Sequence, residues 1–135
     1  MINNNNRETI YELTINNKTY IGKAICHPND LYSKRVGDRL AYHRAAVAYL
    51  RDIRDFTVEQ IKALKHLKSI YDQNNKVNKD GYEYKMLLRQ IQMYQESLED
   101  LRKEIKDVKE DDIAYVKERT KILSREKAKA NSNGL

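Results

Sequence analysis

The sequence predicts an α+β protein that is mostly α: an N-terminal β-hairpin anchor followed by long helices forming a helical hairpin or coiled-coil-like oligomer. Three observations predict it. Residues 8–26 read as a hairpin, with apolar and polar side chains alternating over Tyr11–Ile15 and a return strand rich in β-formers, whereas from Val36 onward apolar residues recur at spacings of three, four and seven. One Pro and four Gly in 135 residues exclude turn-rich sandwiches, barrels and glycine-rich nucleotide-binding folds. Charged residues make up 34% and hydrophobic ones 40%, a balance that suits helices burying a narrow stripe. The length corresponds to a single domain over 1–135.

The anchor spans residues 8–30. Tyr11, Leu13 and Ile15 fall on one face of the first strand, and Glu12 and Thr14 on the other. Asn16-Asn17 follows, and asparagine tolerates the positive φ that a two-residue hairpin turn requires. The return strand runs from Thr19 to Cys26, and Gly22 within it leaves room for another backbone to approach closely. Pro28, which cannot donate to a ladder, ends the strand in His27-Pro28-Asn29-Asp30. A lone two-stranded hairpin is marginal in water, so this one must dock on helices or pair with another subunit.

No proline follows residue 28, and Gly81 is the only glycine between Asp38 and Asn133, which predicts two helical tracts separated near residues 74–81. The first, 31–73, carries Val36, Leu40, Val47, Leu50, Ile53, Val58, Ile61, Leu64, Leu67 and Ile70, with one slip of five at Ile53–Val58. Thr57-Val58-Glu59-Gln60 has the form of a capping box at that slip, so the tract either breaks at Phe56-Thr57 into two helices or runs on as one, and the sequence leaves the two open. The second tract, 82–127, carries a heptad stripe of Ile91, Tyr94, Leu98, Leu101, Ile105 and Val108, then Asp112, Tyr115, Arg119 and Ile122. A helix of that length is expected to need a second copy to cover its stripe, and residues 128–135 read as a frayed polar tail.

The net charge is +6, about +3 in each of residues 1–55 and 56–135, and no basic arm or block of like charge stands out of the kind that non-specific DNA binding would need. The surplus favours anionic ligands without naming one. A single cysteine, Cys26, excludes an internal disulfide framework and a multi-cysteine zinc module. Residues 1–7 form an asparagine run without the apolar stretch of a signal peptide, and no 18 consecutive apolar residues occur anywhere. A reducing, cytoplasmic setting without membrane contact is the expectation.

Catalysis is weakly supported, and no catalytic residue, metal or cofactor is expected. His27, His43 and His66 lack the spacing of a helical metal site, and Cys26 and His27, adjacent on a strand, point to opposite faces. Asp111-Asp112 reads as a solvated helical pair. Two features point to binding instead. Arg35, Arg39, Arg44, Arg51 and Arg54 lie along the first tract, and guanidinium forks suit phosphate oxygens, although pairing with acids such as Asp55 on a solvated surface is the plainer alternative. Asp112 and Arg119 occupy stripe positions that the heptad assigns to apolar residues. Either the seam stutters there, with Ile113, Val116 and Leu123 turning inward, or polar residues line a cavity between subunits. Tyr82, Tyr84, Tyr94 and Tyr115 offer stacking faces for a purine, or pack with their hydroxyls at the rim.

Gly22-Lys23-Ala24-Ile25-Cys26-His27-Pro28-Asn29-Asp30, followed by Gly37-Asp38-Arg39-Leu40-Ala41 and Arg44-Ala45, resembles a pattern in short proteins encoded by phages of low-GC bacteria. Among these, the chain is similar in length and layout to the anti-Thoeris sponge proteins. The resemblance covers residues 8–50 by motif and the rest by architecture. It implies a β-anchor with long C-terminal helices, assembly as a homo-oligomer through dimers, and capture of a cyclic ADP-ribose isomer without cleavage in the cytoplasm of an infected host. The ligand would lie where anchor and helices of two subunits meet, with arginines on phosphates and aromatics on the base. Residue chemistry selects Arg39, Arg44, Arg51, Tyr82, Arg89, Asp112, Tyr115 and Arg119 as candidate ligand-binding residues. Two alternatives stand beside this reading. One is a small coiled-coil inhibitor that binds a host enzyme; the other is a basic helical protein that binds nucleic acid, the less expected partner.

Overall fold

The computed structural model describes residues 2–5, 7–26 and 34–133. Three strands, β1 (Ile2–Asn5), β2 (Glu8–Ile15) and β3 (Lys18–Ile25), precede two long helices, α1 (Lys34–Gln73) and α2 (Tyr82–Asn133). The chain is α+β and mostly α. Its residues fall into two compact units. A sheet unit contains the strands with residues 34–49 of α1 and 106–133 of α2; a hairpin unit contains residues 50–105. The strand stop at His27-Pro28-Asn29-Asp30 lies outside the described residues.

In the sheet unit the strands are antiparallel in the order β1-β2-β3. Asn16 and Asn17 take φ of 51° and 66°, as the two-residue turn between Ile15 and Lys18 requires. The asparagine run forms a third strand, with Asn3 opposite Ile10, Asn4 opposite Thr9 and Asn5 opposite Glu8. Poor strand propensity is overridden there because the open edge of β2 offers backbone partners whatever the side chain.

The hairpin docks on a helix, one of its two expected outcomes. Thr9, Tyr11, Gly22 and Ala24 share the face that meets α1. A Cβ on Gly22 would overlap the Ala41 carbonyl oxygen and the Ala45 amide nitrogen, so strand and helix backbones touch there. Ala41 and Ala45 are fully buried, because only small side chains permit that approach. Tyr11 meets Tyr42 edge-on at 5.0 Å between ring centroids, and Tyr20 meets Tyr49 at 5.5 Å.

Helix α1 runs unbroken through Phe56-Thr57, which decides the choice that the capping-box pattern left open. The Thr57 hydroxyl donates to the Ile53 carbonyl at 2.8 Å, the back-bond of a threonine inside a helix, and not to an N–H ahead of it as a cap would accept. In the hairpin unit Ile61 from α1 and Tyr84, Leu87, Ile91 and Ile105 from α2 form the buried strip. Asn74 and Asn78 close the connection, their side-chain oxygens accepting from the Lys76 and Asp80 amides at 3.0 Å.

Helix α2 continues to Asn133, past the end expected at Lys127. Its stripe from Ile91 to Ile122 is buried or half-buried throughout, and Ile113 is 57% exposed. Asp112, Tyr115 and Arg119 stay on the inner face, with Val116 and Leu123 half-buried beside them, so of the three residues a stutter would turn inward only Ile113 faces out. The stripe is covered within the chain, since α1 at 40 residues is long enough to line it in each unit. Helix length thus supplies no argument for a second copy.

Candidate functional site

The polar positions of the seam gather in the sheet unit. Arg39 and His43, one turn apart on α1, face Asp112 and Tyr115, three apart on α2. Arg39 Nε donates to Asp112 Oδ1 at 3.1 Å, and His43 Nδ1 donates to the same oxygen at 2.7 Å. The Arg39 guanidinium lies over the Tyr115 ring, 4.0 Å from its centroid, a cation–π contact. Asp112 is buried, not solvated as expected of the Asp111-Asp112 pair, and the Arg39 guanidinium and an imidazole N–H share its charge, which offsets the cost of burying a carboxylate. One turn beyond Tyr115, the Arg119 Nε is buried without a hydrogen-bond partner. A buried N–H left unsatisfied is costly and is a ready donor for an anion that reaches it.

The other candidates lie elsewhere. Arg44 belongs to the same unit, but its Nη1 donates to the Lys23 carbonyl at 2.7 Å, holding β3 to α1 rather than standing ready for a phosphate. Arg51, Tyr82 and Arg89 belong to the hairpin unit, all exposed, with Tyr82 at 77%. Of the eight candidates, the structure joins Arg39, Asp112 and Tyr115 directly and sets Arg119 one turn away.

Two arrangements were not anticipated. The first is His43, whose place four residues after Arg39 is the sequence signal for a shared partner, not for a metal site. The second is around Asp72 in the hairpin unit, which accepts from the Tyr84 hydroxyl at 2.6 Å and from Lys68 Nζ at 2.7 Å, with Lys79 at 3.6 Å. The Lys68 hydrogen bond, followed by that of Tyr84, lowers the Asp72 carboxyl to about 2. The same contacts raise the Lys68 ammonium and the Tyr84 phenol. The Lys68–Asp72 spacing was legible; Tyr84 arrives only through the fold. This cluster ties the end of α1 to the start of α2.

Cys26 is engaged by Arg7, whose Nη2 donates to the sulfur at 3.2 Å. Among the described residues no group of three or more His, Cys, Asp or Glu is placed to hold a metal ion. Nor is any described helix long and apolar enough to cross a membrane. Comparison of the chain with family models, curated proteins and solved structures returns no match.

Proposed function

We propose that the chain is a non-catalytic binding protein that sequesters a cyclic ADP-ribose-type nucleotide in the cytoplasm of an infected bacterium, blocking Thoeris defence. The observation that carries the binding reading is the Arg39–Tyr115 stack against Asp112, with the partnerless Arg119 Nε one turn away. Each part suits a piece of such a nucleotide. Guanidinium N–H groups suit the pyrophosphate, the stacked plane suits the base, and the carboxylate accepts from ribose hydroxyls. The ligand class rests on the resemblance carried by Gly22–Asp30 and Gly37–Ala45. Assembly as a homo-oligomer belongs to the same proposal.

The test is thermal unfolding of the full chain with the product mixture of an active Thoeris TIR enzyme, followed by heat release and mass spectrometry. A ligand that binds only the folded state must raise its stability. The expected result is a rise in Tm, recovery of the intact cyclic nucleotide, and loss of the rise in Arg119→Ala while the free protein stays folded. No rise and no recovered nucleotide would overturn the reading.

A protein partner is the second reading, favoured by large apolar side chains left open on the hairpin unit. Phe56, Ile70, Tyr82 and Met93 are each about half or more exposed. Capture of one host enzyme at defined stoichiometry, abolished by Phe56→Glu, would favour it.

A further inference from the structure

The +6 charge is unevenly placed along α2. Residues 117–129 hold six basic side chains (Lys117, Arg119, Lys121, Arg125, Lys127, Lys129) against Glu118 and Glu126, a net +4 that leaves +2 for the rest of the chain. This corrects the expectation that no basic block stands out, which rested on dividing the chain at residue 55. Arg119 faces the seam, and the other five are exposed, with no ion pair or hydrogen bond among the described residues.

From these observations we propose that residues 117–129 of α2 form a second surface, separate from the Arg39–Asp112 cluster, that binds the sugar-phosphate backbone of nucleic acid. Lys117, Lys121, Arg125 and Lys129 stand four apart in one row along the helix. Each step rises about 6 Å, close to two nucleotide rises of about 3.4 Å along a strand. Like charges four apart repel, so the row weakens the helix unless anions lie along it. The helix dipole does not account for it. That effect fades within the last turn, whereas the row begins 16 residues ahead of Asn133.

The rest of the segment distinguishes nucleic acid from a membrane surface. Residues 124–131 are all exposed, and Ala128 and Ala130 are their only apolar side chains. A helix lying in a bilayer interface needs a broad apolar face, which this stretch lacks. Backbone binding to nucleic acid needs only cations in a row, and it displaces condensed counterions.

Fluorescence anisotropy of the full chain tests this, with labelled oligothymidylate and an unrelated duplex of about 20 units each, from roughly 50 to 200 mM salt. Four phosphate contacts predict a slope of log K against log salt of about −3 for the single strand and about −4 for the duplex. The triple variant Lys121→Glu, Arg125→Glu, Lys129→Glu should flatten the slope to about −1 and weaken binding more than tenfold at low salt. Lys121→Gln, Arg125→Gln, Lys129→Gln should flatten it equally without adding repulsion, and circular dichroism checks that each variant remains helical. No binding at low salt, an unchanged slope in a folded variant, or binding to phosphatidylserine vesicles but not to oligonucleotides would overturn the proposal.

Discussion

Replacing Gly22 by alanine tests the contact on which the sheet unit is built. The added Cβ would overlap the Ala41 carbonyl oxygen and the Ala45 amide nitrogen, and would lie 2.9 Å from the Ala41 carbonyl carbon. All three are backbone atoms of a helix, so no rotamer change relieves the overlap. The sheet must lift by on the order of 1 Å, a gap that forfeits up to about half of the dispersion energy of each affected contact. Overpacking costs about 1–3 kcal/mol, and backbone on both sides puts this site near 3. Alanine returns about 0.5–1 kcal/mol through the smaller entropy of the unfolded chain. The net is about 2 kcal/mol, which for a chain of this size lowers Tm by roughly 6–10 °C. Thermal melts by far-ultraviolet circular dichroism, with urea midpoints alongside, measure it. Gly81→Ala is the control, since its new Cβ would meet only Asn78, at 3.0 Å, in the connection of the hairpin unit. If Gly22→Ala melts within about 2 °C of the parent, strand and helix backbones are not in contact and the reasoning fails.

Three further outcomes follow from the geometry. Thr57→Val should change stability by less than about 0.5 kcal/mol in urea, because its hydroxyl only back-bonds to Ile53; a loss of about 1–2 kcal/mol would mark a helix cap instead. Asp72, held at about 2 against an ordinary 3.8, adds stability above pH 3.8 that is lost as pH falls toward 2. Lys68→Gln should move the Asp72 titration, followed by NMR, upward and shrink that acid-side loss; an unmoved midpoint refutes the assigned cause. Asp112→Asn should cost about 1–2 kcal/mol by urea unfolding at neutral pH, as Arg39 and His43 lose the charge they share, and an unchanged midpoint would show that the trio contributes nothing.

Much of the fold was legible because its signals are local. Alternation over Tyr11–Ile15 set the faces of the hairpin, and two asparagines at the turn take the positive φ that their side chains tolerate. The heptad positions from Ile91 to Ile122 all lie on the inner face. Local signals also left choices open. The capping-box pattern at Thr57 sits inside a continuous helix, because packing along the hairpin unit outweighs a capping preference of about 1 kcal/mol. Strand β1 was hidden because its partner is the edge of β2, which no property of asparagine announces.

The candidate site was legible as a contradiction and not as a geometry. Asp112 and Arg119 stood out as charges at apolar positions, and heptad spacing alone placed Tyr115 between them. What faces them was not readable, because Arg39 lies 73 residues from Asp112 in the chain and His43 lies 69. The sequence by itself determined the hairpin, its two-residue turn, the two helices and most of the inner stripe of each, since dihedral preference and hydrophobic period are set within a few residues. Only the tertiary structure decided that the chain's own first helix meets the buried carboxylate, that Arg44 is committed to a strand carbonyl, and that Arg119 is left with an open donor. Those outcomes depend on which distant groups packing brings within about 3 Å, and no short-range pattern encodes that distance.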